Sequence, residues 1–251
     1  MRGFLIGVAV CLTTGLSVVP AGAQNPPTPP LSVTRSADSV TVRAIRLTAP
    51  LKLDGQLDEA VYTDNMPVDG FTQQEPREGQ PATEKTEVWI FFDRDNVYVA
   101  ARCWESQPDR MVVNEMRRDN MNILQNENIA FMFDTFYDRR SGYYFQTNSI
   151  GGIRDAIVAD ERVGNNYDWN TVWNTRSERF EYGWTAEMVI PFKSLRYRQR
   201  PDQVWSINVR RVVRWRGREE SLQKFRQAVP LRQRRPANVE SEVADSAAAA
   251  M

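Results

Sequence analysis

Residues 86–104, with the sequence TEVWIFFDRDNVYVAARCW, are the clearest indication of the fold. Two runs rich in β-branched and aromatic residues flank a turn-forming DRDN segment, and this pattern predicts a β-hairpin. When Phe92 is placed opposite Val97, Glu87 falls opposite Arg102 as a favourable cross-strand ion pair. The same register gathers apolar side chains on one face, which is predicted to face a core: Val88, Ile90, Phe92, Val97, Val99, Ala101 and Cys103.

Short strands continue along the rest of the chain. Segments of alternating or β-branched apolar residues, separated by turn residues, predict strands over 128–136, 143–150, 153–159, 180–190 and 205–209. Residues 109–118 are predicted as a short helix, and 193–195 as a single helical turn. This spacing, without a βαβ rhythm, indicates an all-β fold: a two-sheet antiparallel β-sandwich, jelly-roll-like, with one or two short helices.

The N-terminus predicts export. Arg2, an apolar run over residues 4–19 and the small residues Ala21-Gly22-Ala23 are typical of a signal peptide, residues 1–23, cleaved after Ala23. The alternative is an N-terminal membrane anchor, for which the apolar run is short. The mature chain is therefore expected to be exported, either periplasmic or associated with the outer membrane.

Composition divides the mature chain into three regions. Residues 24–39 are rich in proline and predict a linker, and residues 40–221 hold the predicted strands of the sandwich. Residues 222–251 begin basic and end in a run of alanines, so they are predicted to be a disordered tail. The basic part of this tail leaves contact with lipid or lipopolysaccharide as an open alternative.

The residue inventory excludes several kinds of chemistry. The chain has no histidine, and Cys11 lies in the predicted signal peptide, which leaves Cys103 alone. Histidine-based triads, histidine-ligated zinc and an intramolecular disulfide are therefore excluded. Equal numbers of basic and acidic residues, 32 of each, argue against a nucleic-acid partner.

Carboxylates leave two further possibilities. A glycosidase needs two of them across a cleft, and nothing in the spacing selects a pair, so no catalytic residue is expected. The acidic residues considered are Glu127, Asp134, Asp155, Asp160, Glu161 and Glu187. Asp93, Asp95 and Asn96 offer oxygen ligands for calcium, although a plain hairpin turn explains them as well.

Four blocks of sequence resemble family 9 carbohydrate-binding modules. They are LDGQLDEA at residues 53–60, the hairpin above, NENIAFMFD at residues 126–134 and GWTAEMVIPF at residues 183–192. The blocks have the family's order and cover residues 44–216. The resemblance implies a β-sandwich that binds a polysaccharide or oligosaccharide. It is strongest to a bacterial group in which this module precedes an outer-membrane β-barrel, so the chain is expected to be truncated before such a barrel.

Sugar binding needs flat aromatic rings for C–H faces and polar side chains for hydroxyls. Residues 165–174, NNYDWNTVWN, have that composition and supply Trp169 and Trp173, while Trp104 ends its strand beside Glu105. The resemblance adds hydroxyl-binding positions at Gln146, Asn148, Arg154 and Asp155. Alternatively, each tryptophan fills one end of the sandwich core. Each polar residue, in the same way, could instead form hydrogen bonds with backbone groups of the fold. Three further tryptophans sit in strand patterns and are predicted to be core: Trp89, Trp184 and Trp205.

Together these observations favour non-catalytic carbohydrate binding, in polysaccharide recognition or breakdown at the cell envelope. Two alternatives stay open: a periplasmic accessory domain of an outer-membrane barrel protein without a sugar ligand, and a component of a system that hydrolyses O-glycosyl bonds. Related sandwiches also bind haem, for which Met116 and Met121 are the candidate ligands here.

Overall fold

The structure is a computed structural model that describes residues 33–36, 39–159, 164–200, 202–221 and 231–232. Its strands in chain order are β1 Val33–Ser36, β2 Ser39–Val42, β3 Ile45–Arg46, β4 Thr72–Glu75, β5 Thr86–Phe92, β6 Asn96–Trp104, β7 Asn128–Asp134, β8 Gly142–Asn148, β9 Ile153–Val158, β10 Asn165–Asn166, β11 Asn174–Phe180, β12 Gly183–Pro191, β13 Asp202–Gln203, β14 Ser206–Val213, β15 Arg218–Ser221 and β16 Leu231–Arg232. The helical elements are α1 Ala60–Asp64 and the 3-10 turns Pro108–Arg110, Met121–Gln125, Phe192–Ser194 and Arg214–Arg216.

Two large sheets form the sandwich. The seven-stranded sheet has the order β10-β9-β8-β7-β14-β15-β4, and the five-stranded sheet has the order β11-β12-β6-β5-β3. All pairings are antiparallel except that of β3 with β5. The predicted all-β sandwich is therefore confirmed, and so is the helical turn at 193–195, which is seen over Phe192–Ser194.

The predicted hairpin lies in the middle of the five-stranded sheet. β5 and β6 pair with Phe92 opposite Val97 and Glu87 opposite Arg102, which is the register expected from the sequence. The side chains of Glu87 and Arg102 approach to 3.6 Å. Cys103 is fully buried on the core face, and burial raises the pKa of its thiol to about 12, so it stays protonated at neutral pH.

The core lies between the inner faces of the two sheets. Alternate residues of β7, β8 and β14 point inward from the seven-stranded sheet, as Phe131, Phe145 and Val209 do. They meet the inward residues of β5, β6 and β12, including the predicted core residue Trp184. Trp205 joins this core, whereas Trp89 is buried on the opposite side of the five-stranded sheet.

The outer face of the five-stranded sheet is covered by the chain's own residues. Leu57 and Tyr62, from the segment around α1, pack on it against Trp89, Phe91 and Ala100. This segment contains the first of the four sequence blocks, so that block serves the fold by sealing one side of the sandwich.

Glu187 on β12 binds this covering segment to the sheet. Its carboxylate accepts hydrogen bonds from the backbone N–H of Asp54 at 3.1 Å, the backbone N–H of Gly55 at 2.8 Å and the hydroxyl of Tyr62 at 2.5 Å. Gly55 has φ +89°, a conformation that favours glycine, and its N–H thereby reaches the carboxylate. The first and last sequence blocks therefore occur together because they contact each other.

The strand predicted over 180–190 is wrong at its start. Phe180 ends β11, residues 181–182 form a tight turn, and β12 begins at Gly183. Gly183 has φ +151°, and a Cβ added there would overlap the carbonyl oxygen of Cys103. The sequence pattern missed β11 because its exposed, polar residues carry no apolar alternation.

The helix predicted over 109–118 is also wrong. Only Pro108–Arg110 form a 3-10 turn, and the following residues run on without helical bonds. Their backbone is bonded elsewhere: the side-chain oxygen of Asn126 accepts the N–H groups of Asn114 and Glu115, and Glu127 donates its N–H to the carbonyl of Val112. These tertiary bonds replace the i to i−4 bonds of a helix.

The limits of the sandwich at residues 40–221 stay a prediction, and the structure also shows short strands outside them, in two-stranded sheets of their own. Strand structure begins at Val33, inside the predicted linker, because β1 pairs with β2. The predicted signal peptide lies outside the described residues, and so does the predicted tail apart from β16, which pairs with β13. Across the described ranges, no helix has both the length and the apolar character needed to cross a membrane.

Candidate functional site

The outer face of the seven-stranded sheet carries a groove of about 330 Å³, here called the Arg154 groove. Its apolar lining consists of Met121, Leu124, Ala130, Met132 and Val158. Its polar and aromatic lining consists of Tyr144, Arg154, Asn165, Tyr167, Asn208 and Arg210. This volume lies within the range of small-molecule sites, which is about 300 to 1,000 Å³.

Strand alternation builds the floor of this groove. Residues that alternate with the core residues of β7, β8, β9 and β14 point outward, and cross-strand pairing sets them in rows. One row runs Arg210, Ala130, Gln146, Arg154 across the four strands. Ala130 is small, so it leaves room between the two arginines that bound the row.

Arg154 is held on one side of the groove. It is only 3% exposed, and its guanidinium stacks on the ring of Tyr167, 3.9 Å from the ring centroid. One Nη donates to the sulfur of Met121 at 3.0 Å. A thioether is a weak hydrogen-bond acceptor, so this contact satisfies the guanidinium poorly.

Tyr144 stands between the two arginines. Arg210 donates to its hydroxyl at 3.3 Å. Burial raises the pKa of Tyr144, while the nearby positive charges of Arg210 and Arg154 act in the opposite direction. Both guanidinium groups therefore lie close enough to the tyrosine oxygen to act on the same small region of the groove.

Gln146 lies beneath the groove between Ala130 and Arg154. Its side chain is fully buried, and its Nε2 donates to Asn128 Oδ1 at 2.8 Å. Its Oε1 is buried and accepts no hydrogen bond. An acceptor in that state is unfavourable, so the layer beneath the groove contains an unsatisfied polar atom.

Arg154 and Asp155, which the resemblance grouped together, point to opposite faces of β9. Asp155 faces the interior, where its carboxylate accepts from Arg118 at 2.5 Å and from the N–H of Thr171 at 3.0 Å. Burial raises its pKa. Asp155 therefore anchors the loop before β11 and cannot reach a ligand that contacts Arg154.

Asn148 is fully buried and its amide is in use. Its Nδ2 donates to the carbonyl of Glu115 at 2.6 Å, and its Oδ1 accepts from the N–H of Gly152 at 2.8 Å. These bonds close the turn between β8 and β9. Asn148 thus serves the fold and lies away from the groove.

Trp169 and Trp173 lie on the core side of their loop. Trp173 is buried, with its ring centroid 5.2 Å from that of Phe145, so it plugs the sandwich. Trp169 is half-buried and packs on Tyr143 with a centroid distance of 5.3 Å. It lines a separate cleft of about 500 Å³ together with Phe136 and Leu195, here called the Trp169 cleft.

Trp104 lies on the other sheet and cannot share a site with Arg154. Its Nε1 donates to Glu87 Oε2 at 2.9 Å, and its ring meets that of Phe180 edge to face, with centroids 5.3 Å apart. The seven predicted sugar-binding residues are therefore spread over the groove, the position beneath it that Gln146 holds, the cleft, the interior and the opposite sheet. Only Arg154 lies in the Arg154 groove.

The acidic candidates support backbone structure. Asp134 and Glu127 accept backbone N–H groups, as Glu187 and Asp155 do, whereas Asp160 and Glu161 lie outside the described residues. No group of three or more His, Cys, Asp or Glu residues is placed to hold a metal within the described part of the chain. The Asp93 carboxylate accepts two backbone N–H groups of its turn and the hydroxyl of Tyr98, which is the hairpin-turn alternative to calcium.

Comparison with solved structures confirms the fold that the sequence blocks implied. The chain is similar to a family 9 carbohydrate-binding module from Caldicellulosiruptor kristjanssonii in complex with cellotriose, with 13% identity, a TM-score of 0.50, and coverage of 78% of this chain and 96% of that chain. It is also similar to a Bacteroides uniformis protein whose name suggests carbohydrate binding, with 14% identity, a TM-score of 0.55, and coverage of 78% and 93%. The chain thus has the fold of family 9 carbohydrate-binding modules. No protein-family model and no curated protein matches it.

Sequence reasoning missed most of the groove. Tyr144 alternates with the core residues Tyr143 and Phe145, and Arg210 follows Val209 in the same way. This alternation signals an outward position in both strands. The sequence did not show that β8 and β14 lie with β7 and β9 in one sheet that has this groove on its outer face, and that arrangement decides which outward residues line the groove.

Proposed function

We propose that this chain is a non-catalytic carbohydrate-binding module whose ligand is an oligosaccharide or part of a polysaccharide. The fold supports the proposal, because one structural neighbour with this fold is named as a complex with cellotriose. The observation that carries it is the Arg154 groove. It combines a depression on the outer sheet face, a half-exposed aromatic ring, and a nearly buried arginine whose hydrogen bonds are incompletely used.

The groove offers both kinds of contact that a sugar needs. The ring of Tyr167, 40% exposed, and the side chain of Met132 present apolar surface to the C–H face of a sugar. The amides of Asn165 and Asn208, both exposed, and the hydroxyl of Tyr144 can donate to or accept from sugar hydroxyls. These groups surround one depression, so a single sugar unit can contact both sets.

Tyr167→Ala is expected to weaken oligosaccharide binding by about 1 to 2 kcal/mol, or about ten-fold in Kd, because a stacking surface is lost and Arg154 loses its support. The measurement is calorimetric titration with cellotriose, xylotriose and mannotriose. Tyr182→Ala is the matched control. Tyr182 is 55% exposed and lies on the turn before β12, which belongs to the five-stranded sheet and not to the sheet that carries the groove.

Trp169→Ala serves as the competing variant. Trp169 is two residues from Tyr167 but lines the other cleft, so its loss is expected to lower the melting temperature and leave affinity unchanged. Lost affinity in Trp169→Ala with full affinity in Tyr167→Ala would place the sugar in the Trp169 cleft and contradict this assignment.

We further propose that the module acts at the cell envelope, in the periplasm or at the outer membrane, and that an outer-membrane barrel is its partner. The signal-peptide pattern of residues 1–23 motivates export. Protein recovered from a periplasmic fraction is expected to have the intact mass of a chain that begins at Gln24. Recovery there of a chain that still begins at Met1 would contradict cleavage after Ala23.

A further inference from the structure

Arg154 is a nearly buried cation that no carboxylate contacts within the described residues. Its contacts are the ring of Tyr167 and the sulfur of Met121. Removing a charged group from water is unfavourable unless an opposite charge compensates for it. A cation–π contact and a thioether compensate only partly, so this position favours an anionic group that arrives from outside.

The rest of the groove has the same electrostatic character. Its described lining contains Arg154 and Arg210 and no acidic residue. Arg210 approaches the hydroxyl of Tyr144, which lies one strand away from Arg154 in the sheet. The Arg154 guanidinium beside this depression produces a positive potential there, although the whole chain carries no net charge.

Met121 occupies the position that an anion would take. Its side chain is 57% exposed and unbranched, and its sulfur receives an Nη proton of Arg154. Because a carboxylate is a much stronger acceptor than a thioether, a ligand carboxylate can displace this side chain into solvent without disturbing the core.

We propose that the Arg154 groove recognises a carboxylate-bearing sugar, a hexuronic acid unit of an acidic polysaccharide; this rests on the proposed carbohydrate-binding function. The carboxylate pairs with the Arg154 guanidinium, which stays stacked on Tyr167. The sugar ring lies over the apolar floor, and Asn165 and Asn208 contact its hydroxyls. A planar carboxylate fits the guanidinium fork, whereas a free phosphate would use the charge and leave the apolar floor uncovered.

Matched oligosaccharides test this with the unmodified protein. The probes are trisaccharides of galacturonic, glucuronic and mannuronic acid, each compared by calorimetry with the corresponding neutral hexose trisaccharide, and inorganic phosphate. At least one uronic acid trisaccharide is expected to have a Kd at least about ten-fold lower than that of the corresponding neutral trisaccharide. Raising the salt concentration is expected to weaken binding of the acidic trisaccharide and to leave binding of the neutral one unchanged.

Two variants assign the preference to Arg154. Arg154→Gln is expected to bring the ratio of acidic to neutral affinity close to one, and Arg154→Lys is expected to leave an intermediate ratio. Met121→Glu supplies an internal carboxylate to Arg154, so it is expected to remove the acidic preference and raise the melting temperature. Arg179→Gln, at an exposed position on the other sheet, is the control and should keep the full ratio.

The outcomes separate this inference from the proposed function. Equal affinity for acidic and neutral sugars in the unmodified protein overturns the uronic acid assignment and leaves carbohydrate binding intact. Phosphate binding as tight as that of the trisaccharides also overturns it, in favour of a general anion site. Binding of none of the sugars overturns both proposals, and an acidic preference that survives Arg154→Gln and Met121→Glu places the carboxylate elsewhere.

Discussion

Glu187→Ala is expected to lower the free energy of unfolding by about 3 to 5 kcal/mol. The Glu187 carboxylate accepts the N–H groups of Asp54 and Gly55 and the hydroxyl of Tyr62. Without it, the Gly55 N–H and the Tyr62 hydroxyl have no acceptor at the base of the segment that covers the five-stranded sheet, and the Asp54 N–H keeps only the carbonyl of Lys52. Each buried donor left unpaired is unfavourable by about 1 to 3 kcal/mol.

Urea denaturation of this variant is best compared with Glu178→Ala. Glu178 lies on the neighbouring strand β11 and is exposed, so its replacement should change the stability by less than about 0.5 kcal/mol. A Glu187→Ala protein as stable as Glu178→Ala would show that the first and last sequence blocks are not coupled through this carboxylate.

Arg211→Met is the second substitution with a large expected effect, a loss of about 3 to 5 kcal/mol of stability. Arg211 is fully buried on the inner face of β14. It donates to the carbonyls of Lys85 and Trp104, to the hydroxyl of Thr86 and, at 2.6 Å, to the carboxylate of Glu105. These partners belong to β5, β6 and their ends, so one side chain joins the two sheets.

Methionine matches much of the volume of the arginine but leaves the buried Glu105 without its cation. That uncompensated charge explains the size of the predicted loss. Arg214→Met is the control, because Arg214 is exposed and its hydrogen bonds to the described residues are made by its backbone, whose N–H donates to Glu127 and whose carbonyl accepts from Gly217. A loss below about 1 kcal/mol for Arg211→Met would show that water or local rearrangement replaces the ion pair.

The hairpin register was predictable because two independent constraints agree on it. An apolar face must be continuous from Val88 to Cys103, and Glu87 must lie opposite Arg102, so a slip by one residue would break both. The core strands β7, β12 and β14 followed from the same alternation. Strands without apolar alternation, such as β11, carry no such constraint and were missed.

The helix prediction for residues 109–118 was wrong for a different reason. Its local composition permits a helix, but its backbone N–H groups are taken by Asn126, which lies twelve residues beyond Asn114. Such tertiary competition is invisible in a local pattern. The same applies to Asn148 and Asp155, whose polar character was read as a capacity to bind sugar although their partners are within the fold.

The site was predictable only in part. Adjacent residues of a strand point to opposite faces, so Arg154 and Asp155 could have been separated by alternation alone. Which face of which sheet stays open depends on the position of the covering segment around α1, and this is a property of the complete fold. The loop places the ring of Tyr167 over Arg154, while Trp169 turns towards the core, and the sequence pattern of this loop does not distinguish the two positions.

Ligand-induced changes in backbone amide chemical shifts test directly whether the Arg154 groove is the carbohydrate site. The protein is titrated with cellotriose and with a galacturonic acid trisaccharide. We expect the largest changes on the outer side of β8 and β9 and at Tyr167, centred on Arg154. Changes centred on Trp169 and Leu195, or on Trp104 and Glu87, would contradict this assignment, as would the absence of any change with either sugar.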